Sequence, residues 1–143
     1  MFKRLAITVI GGLVLAGCVT GQVPKQAVKL NGDEIQNAYS GKSAYGKLAD
    51  KNWNLSVPIV EYYAADTRVA YKENKLNLYG TWRVKDDLLC TRYFTANSDK
   101  EYCWEIYSLE NKSLVVHPSG KDSGKVQAEF DIFKDGDVEK LIN

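Results

Sequence analysis

KLNLYGTWRVK, from Lys75 to Lys85, alternates in character. Leu76, Leu78, Trp82 and Val84 fall on one side of an extended chain, and Asn77, Tyr79, Thr81, Arg83 and Lys85 on the other. A period of two over this length describes a half-buried β-strand. The run from Lys125 to Phe133 repeats the pattern, with Val126, Ala128, Phe130 and Ile132 inward and Lys125, Gln127, Glu129 and Asp131 outward. Working outward, turn residues bound further strands at Val57 to Ala64, Arg68 to Lys72, Leu88 to Thr95, Glu101 to Leu109 and Ser113 to His117. Ser43 to Leu48 offers an additional strand, weakened by Gly46. Short sequential strands of this kind predict a mainly β fold, an antiparallel meander forming a small barrel or half-barrel; a two-sheet sandwich is the alternative.

One short N-terminal helix, at about residues 32–40, precedes the strands. Asn31 stands as N-cap with Glu34 three residues on, Ile35, Ala38 and Tyr39 share a face, and Gly41 stops the helix. The helix is expected to cover one open face or end of the sheet. Gly41-Lys42-Ser43 is not a phosphate loop, because Gln36 stands where that motif requires its first glycine.

The chain has 143 residues, 26% of them charged, with 19 basic and 18 acidic side chains. That balance gives no electrostatic case for nucleic acid. At the N-terminus, Lys3 and Arg4 precede the apolar run Leu5 to Val14, which is shorter than the roughly 20 residues of a membrane-spanning helix. The run ends in Leu15-Ala16-Gly17-Cys18, which resembles the lipobox of bacterial lipoproteins. The resemblance implies that residues 1–17 are a signal peptide, that Cys18 carries covalent lipid, and that the partner it commits to is the membrane, reached through that anchor. Val19 and Thr20 follow, without the acidic residue that retains many enterobacterial lipoproteins in the inner membrane, so the outer membrane is implied. Residues 18–29 then read as a lipidated tether and residues 30–143 as a single β-rich domain, with the mature chain carrying a side-chain charge of about −1.

Cys90 and Cys103 remain, in a chain bound for an oxidising compartment, and a disulfide is predicted. Placed opposite each other across a hairpin, they set Arg92 against Glu101 and Leu88 against Glu105 on the cysteine side. Leu89 then faces Trp104 and Thr91 faces Tyr102 on the other. This register predicts a bridge on the more solvated face, an Arg92–Glu101 surface pair, and Leu89, Trp104 and Ile106 in the core. No metal or other cofactor is expected: His117 is the only histidine, beside Pro118 and without a ligand at metal spacing. No nucleophile elbow or isolated carboxylate pair accompanies it, so an enzyme is not expected.

Nine tyrosines and three tryptophans raise a binding role. Tyr62 and Tyr63 are the best candidates, because adjacent strand residues point to opposite sides. Gly80-Thr81-Trp82-Arg83-Val84, then Leu89-Cys90, then Cys103-Trp104, resembles a pattern in small exported proteins and lipoproteins of proteobacteria that have no assigned activity. Ser40-Gly41-Lys42-Ser43-Ala44-Tyr45 is distantly similar to the Ser-Gly-x-x-Tyr loop of periplasmic lysozyme inhibitors, with the tyrosine one position late. That similarity makes Ser40 and Tyr45 the candidate contact residues. Three readings follow: a non-catalytic outer-membrane lipoprotein binding an envelope protein or glycan or serving a structural role, an inhibitor of lysozyme or protease, and a carrier of a small apolar ligand.

Overall fold

The computed structural model describes residues 21–142. Residues 1–17, read above as a signal peptide, and Cys18, Val19 and Thr20 lie outside the described residues. Nine strands and one helix follow in the order β1 (Val28–Lys29), α1 (Gly32–Tyr39), β2 (Lys42–Ala49), β3 (Leu55–Tyr63), β4 (Arg68–Glu73), β5 (Leu76–Lys85), β6 (Leu88–Tyr93), β7 (Glu101–Leu109), β8 (Lys112–Val116) and β9 (Val126–Asp135). Strands β2 to β9 each pair antiparallel with their sequence neighbours, and β9 pairs back onto β2. The meander is therefore a closed eight-stranded barrel rather than a half-barrel or sandwich. Closure removes the sheet edges that would invite pairing with other chains.

Gly46 does not weaken β2, which pairs with β3 without a break from Lys42 to Leu48 and, across a bulge, with β9. A Cβ on Gly46 would lie 1.8 Å from the Glu129 carbonyl oxygen, and one on Gly80 would lie 1.7 Å from that of Arg92. At both positions glycine lets the next strand's backbone come close enough to close the barrel.

Two bulges in β9 also correct the inner set read from its alternation. Pairing slips between Tyr45 and Gly46 on β2, and between Val115 and Val116 on β8. A slip of one residue turns the side chains beyond it to the opposite face. Ala128 and Phe130 stay in the core, but Ile132 is exposed and Phe133 packs inward in its place. At the other end Val126 joins Leu114 and Val116 in a second cluster, against Val23, Ala27 and Tyr107.

That second cluster corrects the tether too. The Val23 amide donates to the Gly124 carbonyl at 2.8 Å, the Val126 amide to that of Gly21 at 2.7 Å, and β1 pairs with β7. Residues 21–29 are docked on the barrel wall. Pro24 and the polar side chains read as linker, while the apolar Val23 and Ala27 between them supply the contact.

The helix plugs one end. Asn31 Oδ1 accepts from the Glu34 amide at 3.0 Å and Glu34 Oε2 from the Asn31 amide at 2.8 Å, the reciprocal capping box the sequence predicted. The Gly32 amide donates to Asp87 Oδ1 at 2.6 Å, tying the helix start to the β5–β6 turn. In that turn Asp86 and Asp87 both have positive φ, the conformation of a tight type I′ hairpin. Ile35 and Tyr39 are fully buried. The Tyr39 ring meets Tyr63 and Phe133 edge-on at 4.9 and 5.3 Å, and its hydroxyl shares a 2.6 Å hydrogen bond with Ser113 Oγ. At the same end, Ser43 Oγ donates to the Gly136 carbonyl and accepts from the Val138 amide, fixing the chain after β9 against the wall.

Candidate functional site

An eight-stranded barrel is just wide enough to be filled by side chains or to hold one small ligand. Here the two ends differ. Near the helix, Tyr39, Tyr63, Trp82, Leu89, Ile106 and Phe130 fill the interior. Toward the other end the barrel holds a cavity of about 390 Å³, open at the mouth. Its walls are mostly apolar or aromatic: Leu48, Leu76, Leu78, Tyr71, Tyr93, Trp104 and Val115 face it, with Phe130 and Ala128 beside them.

Glu61 breaks that pattern. It lies on the inward side of β3 between Ile59 and Tyr63, opposite Tyr71 of β4. The Tyr63 hydroxyl donates to Glu61 Oε2, and the Tyr93 hydroxyl donates to Glu61 Oε1 at 3.2 Å. Burial pushes the carboxyl up to about 7, against the lowering effect of these two hydrogen bonds. Burial, aided by the same carboxylate, holds the Tyr63 and Tyr93 hydroxyls well above their ordinary range, so both stay protonated donors. Nearer the mouth, the Tyr71 hydroxyl donates to Glu73, which also lines the cavity.

An aromatic cluster stands beside the mouth. The Tyr102 and Trp104 rings stack at 6.3 Å, and Trp104 meets His117 edge-on at 4.8 Å. His117 meets Trp53 at 5.6 Å, with Lys125 Nζ 4.4 Å above the Trp53 ring. His117 Nε2 is hydrogen-bonded to Gln127 Oε1 at 2.8 Å. The histidine therefore has packing and a partner, and no nucleophile is bonded to it.

Of the residues singled out by sequence, Tyr63 reaches the cavity. Its neighbour Tyr62 points to the outer face, as adjacency required. Ser40 is the helix C-cap at the plugged end, its amide bonded to the Gln36 carbonyl. Tyr45 lies on the outer wall, where its hydroxyl donates to Glu139 at 2.9 Å and Lys134 Nζ sits 5.0 Å from its ring centre. Ser40 thus precedes β2 and Tyr45 lies within it, on a strand paired on both sides, and no protruding loop presents them.

The cysteine register holds: Cys90 pairs with Cys103, Leu89 with Trp104, Thr91 with Tyr102 and Arg92 with Glu101. Two details differ from expectation. Cys90 is fully buried although it is on the outer face, and Glu101 bonds to Arg83 at 2.7 and 3.0 Å rather than to Arg92. Arg83 lies directly across from Cys90 on β5, so its fork reaches over the disulfide to Glu101. Cys90, Glu101 and Cys103 bring three residues of metal-ligating type together, but both sulfurs are spent in the disulfide.

Sequence reasoning missed Glu61, although the signal was present. Period two from Tyr63 puts Glu61 and Ile59 on the same inward side, and a carboxylate on an apolar face is the anomaly that marks a site. Neither protein-family models, curated proteins nor solved structures yield a match to this chain.

Proposed function

We propose that this protein is a non-catalytic lipoprotein, anchored through Cys18 at the outer membrane, whose barrel binds one small, predominantly apolar ligand. The observation that carries the reading is the cavity of about 390 Å³, blocked at one end by the helix and open at the other. Pockets of this size and lining are the usual form of small-molecule sites. A barrel needed only for structure gains nothing from leaving a cavity of this size unfilled, since each missing contact forfeits dispersion energy. The lipobox supports the anchor, which would hold the barrel at the membrane surface where apolar compounds concentrate.

Titration with the uncharged fluorescent probe N-phenyl-1-naphthylamine tests the reading. The full chain should show saturable enhancement that Ala128→Phe, which adds a ring inside the cavity, reduces at least tenfold while the thermal transition persists. Equal binding by both proteins, or none by either, would overturn it.

A further inference from the structure

We propose that the cavity selects an organic cation, a compound with an apolar body and an ammonium or similar positive group that docks against Glu61; the inference rests on the ligand-carrier reading above. Three observations point there. First, the cavity lining includes two carboxylates, Glu61 and Glu73, and no lysine, arginine or histidine. Second, the hydroxyls around Glu61 are already committed. Tyr63 and Tyr93 donate to Glu61 and Tyr71 donates to Glu73, so none of the three is a free donor for an anionic or carbonyl ligand. Third, the walls beside the carboxylates are aromatic, with Tyr71 and Tyr93 rings 5.9 Å apart and Trp104 nearer the mouth. Aromatic faces attract cations, most strongly where water is excluded.

The groups facing Glu61 allow the effect of pH to be worked out. They are Tyr63 on its own strand, Tyr71 and Glu73 on β4, Tyr93 on β6 and Tyr39 from the helix. Tyr102 stands at the mouth on β7, and His117, outside the lining, touches the cavity wall through Gln127 and Trp104. The four tyrosines nearest Glu61 are held protonated by burial, so Glu61 is the group that changes charge near neutrality. A ligand cation would favour its charged form, and binding would release its proton.

The experiment compares benzyltrimethylammonium, its uncharged carbon isostere neopentylbenzene, and phenylacetate. Each is titrated into the full chain in an uncharged glycoside detergent and followed by calorimetry. The cation should bind at least tenfold tighter than the isostere at pH 8. Its affinity should rise about tenfold from pH 6 to pH 8, as a carboxyl near 7 ionises. Glu61→Gln should abolish both the preference and the pH dependence while leaving the isostere's affinity within threefold. Should that variant not fold, the pH series on the unaltered chain decides. Isostere or phenylacetate binding as tightly as the cation would overturn the inference and leave the carrier reading standing. Binding of none of the three would overturn both.

Discussion

Glu61 shows how one residue joins stability to function. Its carboxyl is raised to about 7 in the folded chain, whereas an unfolded chain holds it near 4.5. The folded state therefore binds the proton more tightly, and its contribution to stability is full below pH 4.5 and lost as pH rises through 7. The difference is about 2 kcal/mol after allowance for water entering through the open mouth. Chemical denaturation at pH 5 and pH 8 should show that loss in the native chain, and Glu61→Gln should remove most of it. An unchanged pH dependence would place the shift elsewhere. Glu61 was readable in the sequence as a charge on an apolar face. Of its tyrosine partners, Tyr63 is two residues away on the same strand, but Tyr93 was not readable, because it is distant in sequence and meets Glu61 only through barrel closure.

At the scale of elements, the sequence carries most of the fold. The capping pattern at Asn31 and the alternation in β5 depend only on local spacing, and both appear as read. Alternation failed where neighbouring strands intervene. The β9 bulges depend on how β2 and β8 pair with it, so Ile132 and Phe133 exchange faces without any local signal. Gly46 was read as a weakness for the same reason: a strand glycine weakens pairing unless another backbone needs its space, as it does here and at Gly80. Because that backbone sits within 2 Å of the missing Cβ, Gly46→Ala or Gly80→Ala should cost several kcal/mol in equilibrium unfolding. A loss below about 0.5 kcal/mol, the size of an ordinary surface substitution, would show that the strands can separate without penalty.

At the scale of the whole molecule, a largely polar outer wall surrounds an apolar interior, with Lys47, Lys72, Arg83, Arg92 and Lys134 outward and Tyr39, Tyr63, Trp82 and Phe130 inward. That arrangement is the reverse of a barrel whose strands face lipid. The proposed membrane attachment therefore rests on Cys18, and Cys18→Ser should move the protein from the membrane fraction to the soluble fraction and abolish incorporation of a labelled fatty acid. Retention and labelling unchanged would dismiss the anchor. The central claim concerns the interior. Native mass spectrometry of the full chain, isolated from its own cells without exposure to added ligands, tests it most directly. A discrete added mass is expected beyond that of any covalent lipid, released on unfolding and lost in Ala128→Phe. A spectrum with only the lipidated chain, unchanged by that substitution, would contradict it.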